Sequence, residues 1–189
     1  MKACADCLTE VTLQSVDNQE LLVNEGAHMF GLTPLGTFHT AISLIAIVAG
    51  FVALARDKEI STRSAAGSVF FWGTVITCLT GFGIFQHGGF GKPHVLGIVT
   101  LIVLGVAVAA ERGSAFGGVS RYVATVGYSL GLFLHFIPAT VETLTRLPAG
   151  APFLANPDDP KAQPIIGVFF LIFLVGATLQ VLRLRRRSL

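Results

Sequence analysis

Four histidines sit within or beside long apolar runs of this chain, at His39, His87, His94 and His135. One carboxylate, Glu142, follows seven residues after the last of them. Imidazole titrates near neutral pH and is a common ligand for transition metals and haem iron. A seven-residue step is two helical turns, so Glu142 shares a face with His135 if the segment is helical, with Pro138 between them. Ionisable groups inside apolar spans are costly and mark functional sites by default. His39, His94 and His135 are therefore candidate ligands of haem b or of a transition-metal ion. Glu142 and His87 are further metal-ligand candidates, and Glu142 could also accept a proton. Haem needs small residues beside its ligands, and Gly36, Gly50, Gly73, Gly81 and Gly83 could supply that space. The competing reading puts these histidines at a water interface, bonded to loop carbonyls. It suits His87 and His94 best, beside Gly88-Gly-Phe-Gly-Lys-Pro93.

Other chemical signals are sparse. Cys4-Ala-Asp-Cys7, with His28 downstream, has the spacing of a redox disulfide or half a metal site, or is a pair of idle thiols. A structural metal would need a second pair of ligands, and the sequence supplies none. Cys78 stands alone in an apolar run and reads as a small core residue. No His-Glu-x-x-His, Gly-x-Ser-x-Gly or Walker loop occurs. Gly81-Phe-Gly83 suits close helix packing better than phosphate binding.

The elements that must position these residues follow from composition. The chain has 189 residues, 52% hydrophobic and only 13% charged, with a net charge of +2. Soluble domains carry about 25% charged residues, so an ordinary soluble enzyme, a disordered tail and a nucleic-acid binder are all disfavoured, and the lipid bilayer is the expected environment. A hydrocarbon core of ~30 Å needs ~20 helical residues. Five segments approach this: 35–55, 64–85, 94–110, 122–144 and 164–182. Their apolar residues run all round rather than alternating, which favours helices over a β-barrel. The expected fold is an all-α membrane protein with five transmembrane helices, an up-down four-helix bundle plus one C-terminal helix. The expected parts are an outer arm (1–34), the bundle (35–144), a proline-rich outer loop (145–163), and the fifth helix with a basic tail (164–189).

Charge sets the orientation. With the N-terminus outside, Arg56, Lys58, Arg63, Arg112, Arg121, Arg183, Arg185, Arg186 and Arg187 are cytoplasmic. Lys2, Lys92, Arg146 and Lys161 are outside. His135 then lies 13 residues into its segment, ~20 Å from the inner end at ~1.5 Å per residue. All the intramembrane histidines fall in the outer half. The loop 146–163, with Pro148, Pro152, Pro157 and Pro160, is expected to fold back as a cap over them.

His39 and His94 each precede a glycine by eleven residues (Gly50, Gly105), and both segments finish at an arginine (Arg56, Arg112). This fits a duplicated two-helix hairpin, or chance likeness between apolar runs. Between the first two segments lies Thr62-Arg63-Ser-Ala-Ala-Gly67. On this motif, with His39 before it, the stretch from Phe38 to Arg112 resembles uncharacterised bacterial membrane proteins built on a small histidine-containing helical bundle. Those proteins carry a histidine beside the loop arginine, where this chain has Ser61 and Ser64. The resemblance implies a bacterial cytoplasmic membrane and lends no activity. A remoter likeness to b-type cytochrome bundles rests on histidine and glycine placement and is analogy.

Two functions follow as expectations. One is a redox protein with haem b or a metal ion near the outer leaflet, exchanging electrons with quinol. The other is a non-catalytic accessory subunit or assembly factor that packs against other membrane protein subunits. Neither fixes a reaction. Transport needs a polar route through both leaflets, and the inner halves of the spans offer little beyond Ser and Thr.

Overall fold

A computed structural model describes residues 33–84, 89–113 and 116–187, the last without its side chain. Cys4, Cys7, His28 and His87 lie outside the described residues. The described chain is helical: α1 Pro34–Asp57, α2 Ala65–Gly81, α3 Lys92–Arg112, α4 Ser120–Leu144 and α5 Ala162–Arg187, with a 3₁₀ turn at Gly117–Val119 before α4. No strand occurs among the described residues. Four of these helices are long and apolar enough to cross a membrane, and α2, with 17 residues, is the shorter apolar helix. The chain divides into two compact units, Met1–Phe38 and His39–Leu189. In the first, Thr33 caps the start of α1 by accepting the Gly36 N–H at 3.1 Å.

Local chemistry explains the helix ends. Ser64 caps α2, accepting the Gly67 N–H at 3.1 Å. A Cβ on Gly67 would collide with the Ser61 carbonyl, so the turn before α2 closes only over glycine. Pro93 occupies the first turn of α3, where its missing N–H costs nothing. The second helix stops at Gly81, short of the expected 85, and turns through Phe82 and Gly83. Pro138 lies inside α4 without ending it.

Helix α4 is the hub. Gly127 and Gly131 admit Ala107 and Leu104 of α3, and Leu132 meets Gly50 of α1. Phe133 and Phe136 stack on Phe173 and Phe169 of α5. Over half (56%) of the best apolar window of α4 is buried, against none in α5. The most apolar 18-residue stretch is correspondingly less apolar in α4 than in the other long helices and most apolar in α5. Polar side chains concentrate where protein, not solvent, surrounds them. Helices α1 and α2 run antiparallel through an Ala46–Gly73 contact, where an added Cβ would stand 2.9 Å from that of Ala46. The core gathers Phe70, Leu104, Tyr128 and Leu132 with the small residues Ala53, Ala107, Ala110 and Ala124.

Candidate functional site

His135 is buried where α1, α2 and α4 meet. Its Nδ1 lies 3.3 Å from the Ser43 hydroxyl and its Nε2 lies 2.9 Å from the Thr74 hydroxyl. Thr74 donates its single proton to the Phe70 carbonyl at 2.7 Å, so toward the histidine it can only accept. That assigns the proton of His135 to Nε2, leaving Nδ1 to accept from Ser43. The Phe70 ring stands edge-on to the imidazole, with centroids 6.2 Å apart.

His39 repeats the pattern one turn away. Its Nδ1 lies 3.1 Å from the Thr80 hydroxyl, which donates to the carbonyls of Ile76 (2.9 Å) and Thr77 (3.0 Å). Thr80 therefore accepts from His39, whose proton sits on Nδ1 and whose lone pair sits on Nε2. His39 and Ser43 are one turn apart on α1, and Thr74, Thr77 and Thr80 step by three along α2, so both sets share a face. The two histidines and their hydroxyl partners form a ladder that joins α1 to α2 and α4. Thr74 and Thr80 return their protons to their own helix backbone, a habit that frees the hydroxyl oxygen for a partner across the interface.

The other candidates lie elsewhere. His94 is buried at the start of α3, where its Nδ1 accepts the Gly91 N–H at 3.2 Å. Its ring stacks with those of Phe90 (centroids 5.1 Å) and Phe82 (6.4 Å). This is a cap on α3, akin to the loop-bonding reading of the sequence. Glu142 is exposed and forms an ion pair with Arg146, four residues on in the same chain turn. Among the described residues, no three His, Cys, Asp or Glu side chains come together as a group able to hold a metal ion. Of the five glycines proposed as cofactor space, Gly50, Gly73 and Gly81 abut protein. A Cβ on Gly50 would stand 3.0 Å from Leu132 and Phe70, one on Gly73 2.9 Å from Ala46, and one on Gly81 3.2 Å from the His39 ring.

The loop between α4 and α5 is anchored at both ends. Leu154 is fully buried and its N–H bonds to the Leu144 carbonyl at 2.9 Å. Lys92, at the start of α3, pairs with Asp158 at 2.6 Å. Asp159 accepts the N–H groups of Lys161 (3.0 Å) and Ala155 (3.1 Å), and these bonds hold its carboxyl below the usual carboxylate range.

Sequence reading passed over a second polar centre, at the opposite end. Glu111, in the last turn of α3, accepts from the Ser61 and Thr62 hydroxyls and from the Thr62 N–H at 3.1 Å. It also accepts from Tyr128 of α4 at 2.7 Å. Arg63 donates to the Glu111 carbonyl at 3.0 Å. The Thr62–Gly67 motif thus has a local account: Thr62 and Arg63 dock the loop on α3, Ser64 caps α2, and Gly67 permits the close turn. Nearby, Gln180 of α5 accepts from Ser129 at 2.8 Å and donates to the Lys58 carbonyl at 3.2 Å. Only the pairing of Ser61-Thr62 with a lone helix-end carboxylate hinted at this centre.

No family model, curated protein or solved structure matches the chain. The likeness carried by the Thr62–Gly67 motif therefore brings no activity with it.

Proposed function

We propose that the chain is an integral protein of a bacterial cytoplasmic membrane and acts there as a non-catalytic accessory subunit or assembly factor of a larger membrane complex. In this reading all five helices cross, N-terminus outside and C-terminus cytoplasmic, α1–α4 as an up-down bundle and α5 added beside it. Helix α2 reaches about 25 Å at ~1.5 Å per residue, and a short span is accommodated by local thinning of the bilayer. The basic ends of α1, α3 and α5, with Arg63 before α2 and Arg121 in the first turn of α4, support this orientation.

One observation carries the role. Both ring nitrogens of the buried His135 are engaged by Ser43 and Thr74. His39, His135, Tyr128 and Gln180 are spent on joining helices, while the faces left outward, those of α5 above all, are apolar. Such a molecule offers packing surface. Purification from native membranes in mild detergent should retain a membrane-spanning partner in fixed stoichiometry through size exclusion. A monodisperse monomer with an activity of its own would refute the role.

A redox reading keeps one specific support: the Nδ1–H tautomer of His39 leaves its Nε2 lone pair as the ladder's one candidate ligand for haem b or a metal ion. It requires that His39→Ala removes the cofactor and that His135→Ala does not.

A further inference from the structure

An open groove of about 490 Å³ runs between α1 and α2 on the side away from α4. Its lining is apolar throughout: Leu44, Val48 and Val52 of α1 border it with Val69 of α2, and Ala49 and Ala66 leave the space between. From Leu44 to Val52 the groove extends eight residues, about 12 Å at ~1.5 Å per residue. One leaflet of a ~30 Å hydrocarbon core is only slightly deeper.

Helical register says what stands at its mouth. The α1 lining recurs at 44, 48 and 52, and the next step of four is Arg56, which is exposed. Lys58 and Arg63 lie on the loop beyond it. Of the acids there, Glu59 is engaged by Arg121 at 3.6 Å, Glu111 is engaged by Ser61, Thr62 and Tyr128, and Asp57 remains. Cations therefore outnumber acids where the apolar slot meets the headgroup layer.

We infer that the α1–α2 groove holds one acyl chain of an anionic phospholipid from the cytoplasmic leaflet, with its phosphate against Arg56. The inference rests on the membrane reading above. An apolar slot alone would take any lipid chain, and the arginine in register with it supplies the preference for negative charge. A second copy of this chain is the competing occupant, and it would bring another Arg56 to the same mouth.

The chain carries its own probe. Trp72 is the single tryptophan, and it lies three residues beyond Val69 on the groove side of α2, 57% exposed. The full-length protein, in bilayers of unbrominated lipid, receives phosphatidylglycerol or phosphatidylcholine with brominated acyl chains at equal low mole fraction. Brominated phosphatidylglycerol should quench Trp72 with roughly fivefold higher apparent affinity, the size of one surface arginine. Arg56→Gln should abolish that preference and keep the quenching common to both lipids. Ala49→Leu, which fills the slot, should also abolish it, and the exposed Arg56 variant decides the matter if the filled groove does not fold. Equal quenching of the wild type by both lipids would overturn the site and leave the membrane placement standing. Quenching by neither, with the protein monomeric, would overturn the membrane placement as well. Quenching by neither in a dimer would assign the groove to a second copy and overturn the lipid.

Discussion

The two polar centres of this molecule solve one problem in opposite ways. The histidine ladder joins three helices with imidazoles and hydroxyls, all uncharged, between apolar faces. The Glu111 centre joins the α1–α2 loop, α3 and α4 through its carboxylate, at helix ends. A charge at depth would cost far more than its hydrogen bonds return, whereas at a helix end it gathers several donors without that penalty. Depth therefore selects neutral, closed pairs, and the surface layer permits a charged node. The contrast also explains why histidine need not signal a cofactor here. It is a neutral side chain able to donate at one nitrogen and accept at the other, which suits a join between helices.

Removing the charged node should have the largest effect. Glu111→Ala leaves the Ser61, Thr62 and Tyr128 donors without their acceptor and is expected to cost about 3 kcal/mol, since bonds to a charged group are worth ~1.5–3 each and act together here. Thermal unfolding in detergent would measure it, with Glu111→Gln falling between the variant and the wild type. A Glu111→Ala protein melting with the wild type would show that the Glu111 centre adds nothing to stability. His135→Ala should cost less, about 2 kcal/mol, from interhelical bonds averaging ~0.6 kcal/mol each plus the cavity left behind. If its loss exceeds that of Glu111→Ala in the same assay, depth does not rank the two centres as argued.

Glycine contacts sharpen the picture. Gly73→Ala places a Cβ 2.9 Å from that of Ala46 in the α1–α2 contact and should destabilise by ~1–3 kcal/mol. Gly105→Ala meets nothing within 4 Å and should be neutral or raise the melting temperature through helix propensity. The two glycines that the sequence pattern would treat as repeats of one kind, Gly50 and Gly105, differ in the same way. The first abuts Leu132 and Phe70, and the second faces open space.

The smallest effect belongs to the α4–α5 loop. The Asp159 carboxyl is held below its ordinary range by the Lys161 and Ala155 N–H groups, so its contribution is present above that range and is lost as pH falls through it. The group is fully exposed, and the dependence should be slight. A melting-temperature profile against pH should flatten on its acid side in Asp159→Asn, and an unchanged profile would show that the loop draws nothing from this turn.

Much of the fold is legible in the sequence because the apolar runs are long and charge collects between them. The helix ends follow from Ser64, Pro93 and Gly67, which are local signals. The site is less legible because its geometry is not local. His39 and His135 announce themselves as rare ionisable groups, yet nothing in sequence reveals that Thr80, Ser43 and Thr74 meet them. Glu142 looks like a neighbour of His135 by register, but Arg146 lies within reach on its own chain and claims it. Glu111 hides beside Arg112 as one more helix-end charge, with donors 17 and about 50 residues away.

The central claim is that the histidines join helices rather than hold a cofactor. An absorption spectrum of the purified full-length protein, taken together with its elemental analysis, tests it most directly. The account predicts a colourless protein without stoichiometric metal, unchanged in His39→Ala. A haem absorbance band or one metal ion per chain, lost in His39→Ala, would contradict it.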